Sequence, residues 1–227
     1  MAAIKYPAGD RTRDKIFQAA VKLFFEKGFV ATTYDDIAKE AEVNRALLIY
    51  HFENKKKLGL LVWERFNTNY YEAINEVLES HAKEEPERFV AVSMFAFYRL
   101  FRYENLTRFL MEIQSESNFR ENLISSERDF FMKIKGRRIE MDESTFHFLM
   151  HMDYGIEREV VRMAYFHKKP EEIDKMAEIE FRMIMGELGY SYREVEKMVK
   201  ETKEILGQYT IALKDNFQVE CIRKAVD

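Results

Sequence analysis

The sequence predicts an all-α protein, with a small three-helix head at the N-terminus and a larger helical body behind it. Three observations carry this prediction. The chain of 227 residues holds only 8 glycines and 3 prolines, which leaves few turns and few helix breakers. It is 47% hydrophobic and 33% charged, the balance of amphipathic helices with one buried and one solvated face. Apolar residues recur at helical spacing along most of the chain, and no alternating run of β-branched residues announces a strand. Residues 1–54 are assigned to the head and 55–227 to the body.

Residues 1–9 read as a frayed arm. A first helix is expected over about 10–27, with Ile16, Ala20, Leu23 and Phe24 on one face. Gly28 stands where the left-handed residue after a helix belongs. Thr33, with Asp36 three residues on, approximates a capping box for a second helix ending near Ala41. Glu42 and Val43 make a tight turn, and Asn44 caps a third helix, 45–51. Asn54 caps a long fourth helix to about Ser80. At ~1.5 Å per residue that helix reaches nearly 40 Å, enough to join head and body. Pro86 opens a fifth helix reaching about Tyr103, so apolar all round that it belongs at the centre of the body. Further helices are expected at about 105–116, 119–135, 142–167, 171–188 and 192–214, the last opened by a Ser191–Glu194 capping box.

Composition excludes several classes. A lone cysteine, Cys221, allows neither an intrachain disulfide nor a Cys-based zinc site, and fits a reducing cytoplasm. No targeting signal is visible at the start, and the richest apolar stretch, 89–101, is interrupted by Ser93 and Arg99. A cytoplasmic protein without a membrane partner is expected. Residues 1–65 carry twelve Lys and Arg against nine Asp and Glu, a net +3, while the rest carries −7. A mildly basic head on an acidic body suits contact with phosphates at one end. No nucleophile elbow, Walker loop, dinucleotide fingerprint or zinc signature appears, so no enzyme activity, cofactor or metal is predicted.

The stretch 32–55 is the most specific. Two short helices joined by a tight turn and ending in Tyr50-His51-Phe52 form a helix-turn-helix pattern, which places its second helix in the DNA major groove. Residues 11–62 resemble the N-terminal domain of TetR-family transcriptional regulators. The resemblance rests on the first-helix pattern from Ile16 to Phe24, Gly28-Phe29, Thr32-Thr33, Asp36-Ile37-Ala38, Ala41, Val43, Leu48, Tyr50-His51-Phe52, Lys55 and Leu58. It implies that the third helix reads DNA through Asn44, Arg45, Leu47, Ile49, Tyr50 and His51, with Thr33 and Lys55 holding phosphates and Arg11 and Arg13 as further phosphate contacts. Arg45 suits a guanine edge or a phosphate. Ile37, Ala38, Val43, Leu48 and Phe52 form the small core of the head. Many members carry Gly-Thr-Leu-Tyr where this chain has Ala46-Leu47-Leu48-Ile49, so two hydroxyl donors are missing and thymine methyl contacts gain room.

The resemblance also implies a homodimer on a palindromic double-stranded operator and a small-molecule effector in the body. Two stripes are expected to form the dimer face: Ile173, Met176, Ala177, Ile184, Met185 and Leu188, then Met198, Val199, Ile205 and Tyr209. The region 89–167, rich in Phe, Met and Tyr, is expected to hold a mostly apolar ligand cavity. Phe97, Arg99, Phe101, Arg102, Tyr103, His147 and His151 are its candidate ligand-binding residues. Arg99 and Arg102 either hold an anionic ligand group, pair with Glu104 or Glu112, or snorkel to solvent. Glu143, His147 and His151 share a helix face at metal-compatible spacing, but lack a second ligand cluster. The expected function is a repressor released by its ligand. A ligand-independent architectural or division-linked DNA binder is the alternative.

Overall fold

The computed structural model describes residues 8–115, 131, 134, 137–167 and 170–225. Helix α1 spans Ala8–Lys27, α2 Tyr34–Glu40, α3 Arg45–Phe52 and α4 Lys55–His81. They are followed by α5 (Pro86–Tyr98), a 3-10 turn (Arg99–Arg102) and α6 (Glu104–Ile113). Beyond these lie α7 (Glu143–His167), α8 (Pro170–Glu187) and α9 (Tyr192–Gly207). The helix expected at 119–135 lies almost wholly outside the described residues. The all-α architecture with an N-terminal helix-turn-helix head is as the sequence predicts.

The local signals act where they were read. Gly28 takes φ +90° and its N–H donates to Phe24 O at 3.0 Å, closing α1. Asn44 Oδ1 accepts from Leu47 N at 3.1 Å and Asn54 Oδ1 from Lys57 N at 2.8 Å, satisfying first-turn donors of α3 and α4. Thr33–Asp36 and Ser191–Glu194 both close as reciprocal capping boxes. Helix α5 is buried along nearly its whole length, packed by α4, α8 and α9, because its apolar residues leave no solvent face.

The C-terminus departs from expectation. Helix α9 stops at Gly207 rather than near 214, and an antiparallel hairpin follows: β1 (Tyr209–Lys214) pairs with β2 (Gln218–Arg223), Tyr209 opposite Arg223 and Lys214 opposite Gln218. Tyr209, Ile211 and Leu213 turn inward while Thr210 and Lys214 face out, a period of two. The helical reading failed because Ile205 and Tyr209 stand four apart and mimic a continuing stripe. The connecting turn, with Asn216 at φ 57°, pushes Phe217 into the protein. There its ring meets Phe25 of α1 at 5.2 Å, Phe66 of α4 at 6.2 Å and Phe109 of α6 at 4.8 Å between centroids. Asn69 Nδ2 donates to Phe217 O at 3.3 Å and seats the turn on α4.

The expected dimer stripes are also corrected. Ile173, Ala177, Ile184, Met185, Leu188, Val199 and Tyr209 are buried within the single chain, and Met176, Met198 and Ile205 pack against the same core. The helices face the opposite way, because α5 and the hairpin take up their apolar sides.

Candidate nucleic-acid interface and ligand cavity

The head is built around a small core. Ile37, Ala38, Leu48 and Phe52 are buried together with Ile16, Ala20 and Phe24, which fixes the angle between α2 and α3. The turn between them is closed by Val43 N donating to Ala38 O at 2.9 Å, with Glu42 in the left-handed region at φ 55°. With Leu48 and Phe52 turned inward, the opposite side of α3 is solvated: Arg45, Ala46, Ile49 and Tyr50 form one exposed face. Tyr50 is 80% exposed and Ile49 49%, two adjacent apolar groups on one outward face. Arg45 is laid across that face, its guanidinium 5.2 Å from the Tyr34 ring centroid and 3.6 Å from Asp35 Oδ1. His51 is half-buried and edge-on to Tyr50 at 5.0 Å. Leu47 is half-buried against the core rather than fully outward.

Thr33 and Asn44 are exposed beside this face, and both side chains cap helices. Lys55, expected to hold a phosphate, is engaged within the head. Its Nζ donates to Phe29 O and Thr32 O at 2.9 Å each, reaches Val30 O at 3.4 Å, and lies 4.6 Å from the Phe29 ring centroid. Its backbone N–H donates to the Tyr34 hydroxyl at 2.7 Å. The ammonium thus ties the loop after α1 to the start of α4, because that loop leaves carbonyls that helix α1 cannot satisfy. Tyr34 and Ala46 lie beside Arg45 on this outward face and were not among the residues expected there. Their signal was present, since both flank Arg45 on the outer side of the turn.

Helix α6 clamps the head to the body. Arg108 Nη2 donates to Phe25 O at 2.9 Å and Glu26 O at 2.8 Å, and Asn105 Nδ2 to Phe25 O at 3.0 Å. Glu112 Oε2 accepts from Val30 N at 2.8 Å. A Cβ at Gly28 would lie 2.7 Å from that carboxylate, and one at Gly59 would lie 2.4 Å from Ile113 Cδ1. Both glycines therefore permit the close approach of α6.

The body holds a cavity, open to solvent at its mouth, between α4, α5, α7 and α8. Helix α4 contributes Trp63, Asn67, Tyr70 and Tyr71; α5 contributes Val90, Ser93, Met94, Phe97 and Tyr98. Phe131 also lines it, together with three carboxylates: Asp153 and Glu157 from α7 and Glu180 from α8. The Tyr70 hydroxyl donates to Ser93 O and the Tyr98 hydroxyl to Glu180 Oε2. Burial, then the neighbouring Glu157, pushes the Asp153 carboxyl up to about 8. Burial raises Glu180 well above the ordinary carboxylate range.

Of the seven expected ligand residues only Phe97 lines this cavity. Arg99 donates to Leu206 O at 2.7 Å and lies 4.0 Å from Asp174, bracing the 3-10 turn against α8 and α9. Phe101 is core, and exposed Arg102 caps Arg99 O at 2.8 Å; both border a separate cleft with Glu104 and Tyr165. Tyr103 is the half-buried N-cap of α6. His147 and His151 lie on the outer side of α7, their Nε2 atoms 2.9 Å apart. Among the described residues no three His, Cys, Asp or Glu side chains converge as a metal site. The acids were legible in principle: Glu180 falls three residues after Ala177 and four before Ile184, in the middle of the inward stripe.

A capped two-helix turn presenting an outward Arg-and-Tyr face, clamped to a helical body, is a helix-turn-helix head of the kind that DNA-binding proteins carry. Residues 16–60 match the sequence model described as bacterial regulatory proteins, tetR family. The head is thus similar in sequence to the DNA-binding domain of that family over residues 16–60. IcaR of Staphylococcus aureus (strain Newman), the negative transcriptional regulator of the biofilm operon icaADBC, is 33% identical over 92 residues, 40% of this chain and 47% of that protein. YttP of Bacillus subtilis (strain 168), a probable HTH-type transcriptional regulator, is 42% identical over 71 residues, 31% of this chain and 32% of its own length. The chain thus matches less than half the length of each of these curated relatives. Among solved structures, Thermus thermophilus FadR, a TetR-family repressor in complex with lauroyl-CoA, gives a TM-score of 0.59 at 17% identity, covering 76% of this chain and 93% of that one. RolR without ligand gives 0.56 at 16% identity, covering 82% and 96%. At such identities the likeness is one of fold. No described helix is long and apolar enough to cross a membrane.

Proposed function

We propose that this protein is a homodimeric repressor that reads a palindromic operator with α3 and leaves it when a small molecule occupies the body cavity. The outward face of α3 carries the reading: Arg45, Ile49 and Tyr50 stand free of the core on the helix that the family inserts in the major groove. Thr33, Asn44 and His51 flank that face, and Ile49 suits a thymine methyl.

One head makes too few contacts for specific binding at physiological salt, so a second copy is required. The outer sides of α7 and α8 supply a surface for it. Phe148, Met152 and Gly155 form an exposed stripe on α7; Ile179, Met183 and Gly186 form one on α8. A Cβ at either glycine would meet nothing within 4 Å, so both leave room for a partner helix. Helix α4 couples the two functions. Its first turns hold Lys55 and Gly59 against the head, and two turns further on Trp63, Asn67, Tyr70 and Tyr71 line the cavity. A ligand that favours one tilt of α4 changes the affinity for DNA by that preference alone. IcaR being a negative regulator, and FadR holding lauroyl-CoA in the same fold, support repression and ligand control.

Selection from a random DNA pool, with sedimentation of the selected complex, tests the reading. A palindromic site bound by two chains is expected. Arg45→Ala should weaken binding by about 1–3 kcal/mol per head, at least thirtyfold for two heads, with fold and dimer retained. Met183→Glu should leave a monomer that binds the site poorly. Undiminished binding by the Arg45 variant would remove α3 from the interface.

A further inference from the structure

The cavity is chemically one-sided. Every charged group among its described lining residues is acidic: Asp153, Glu157 and Glu180. Asp153 is 8% exposed and Glu180 1%. Glu180 Oε2 accepts from Tyr98, but Oε1, equally buried, has no hydrogen-bond partner among the described residues. A buried carboxylate oxygen without a donor is a standing cost in an empty protein, and a ligand able to answer it recovers that cost. The remaining wall is aromatic, with Trp63, Tyr70 and Phe97 packed edge-to-face. Aromatic faces attract cations through their quadrupoles and accept flat apolar groups by contact.

We infer that the cavity takes an organic monocation with aromatic or bulky apolar substituents, its charge set toward Glu180 and Asp153 and its apolar groups against Trp63 and Phe97. Among the described lining residues no basic group stands ready for an anion, and a neutral hydrocarbon would leave the buried Glu180 Oε1 without a partner. This reverses the expectation of a ligand carboxylate held by Arg99 and Arg102, which lie outside the cavity. It rests on the proposed reading of the cavity as the effector site.

Proton linkage supports the assignment. Among the described residues, the titratable groups facing the space are Asp153 and Glu157 on α7, Glu180 on α8, Tyr98 on α5, and Tyr70 and Tyr71 on α4. Burial holds Asp153 and Glu180 toward their neutral forms in the empty protein. A permanent cation stabilises the carboxylate, so its binding releases a proton to solvent and strengthens as pH rises.

Trp63 is the only tryptophan in the chain, so its fluorescence reports the cavity directly. The intact protein is titrated with tetraphenylphosphonium and with tetraphenylborate, ions of nearly the same size and shape but opposite charge. Saturable quenching by the phosphonium is expected, about tenfold or more tighter than by the borate and tightening from pH 6 to pH 8. Glu180→Gln, which keeps an acceptor for Tyr98, should weaken phosphonium binding about tenfold while leaving the circular dichroism spectrum unchanged. Asp153→Asn serves as the second variant if Glu180→Gln does not fold. Equal or preferred borate binding, or no saturable quenching by the phosphonium, overturns the inference. Phosphonium binding that leaves the selected DNA complex intact overturns the effector reading while the cation assignment stands.

Discussion

Asp36 in the head and Asp153 in the body are the same chemical group driven in opposite directions. Asp36 is half-exposed, and the Thr33 backbone N–H and hydroxyl hold it below the ordinary carboxylate range. Asp153 is enclosed, and burial followed by Glu157 pushes it up to about 8. The head uses its polar groups locally, to close helix ends and leave one face of α3 free for another molecule. The body buries Asp153 and Glu180 far from such local partners: Tyr98 donates to one oxygen of Glu180, and no described residue donates to the other. Polar groups satisfied by their sequence neighbours build a rigid reading head, whereas groups left wanting build a site that a ligand can complete.

The largest effect should come from the joint between the two regions. Phe217 fills the space shared by α1, α4 and α6. Phe217→Ala is expected to cost about 3–5 kcal/mol in urea unfolding and to lower hydrogen-exchange protection in α1. A loss confined to the hairpin, with α1 unchanged, would break the view that the hairpin braces the head.

The acids should make the body's stability depend on pH in the direction opposite to that of Asp36. The folded Asp153 carboxyl titrates near 8 and an unfolded one near 3.9. Between those values the folded state holds a proton that the unfolded chain lacks, so stability falls as pH rises, by up to about 1.4 kcal/mol per pH unit for one proton. Asp153→Asn removes that proton difference, and its melting temperature should fall less than the parent's between pH 5 and pH 8. For Asp36, with its folded value lowered, stability is lost instead as pH falls through that value. Parallel melting curves for parent and Asp153→Asn would end the contrast.

The smallest effect lies in the head's own turn. Glu42 is a non-glycine residue at φ 55°. Glu42→Gly relieves the left-handed strain but loosens the unfolded chain, for a net gain of about 0.5–1 kcal/mol. A lower melting temperature would show that the Glu42 side chain contributes a contact of its own.

Much of the head was legible because its determinants are local. Gly28, Thr33, Asn44 and Asn54 act within three or four residues of their own position, and the inward set Ile37, Ala38, Leu48 and Phe52 follows from helical period alone. The bracing role of Lys55 was not legible, because its carbonyl partners at Phe29 and Thr32 lie more than twenty residues back. In the body, the sequence determined that α5 would be buried and that α9 would begin at a Ser191 cap. It also determined that the protein would be helical and would carry a helix-turn-helix. Which side of α8 faces inward, where α9 gives way to a hairpin, and how Asp153 and Glu180 come to share one cavity were decided only by tertiary packing. Those outcomes depend on contacts between residues far apart in the chain, and helical period names a stripe without naming the surface that covers it.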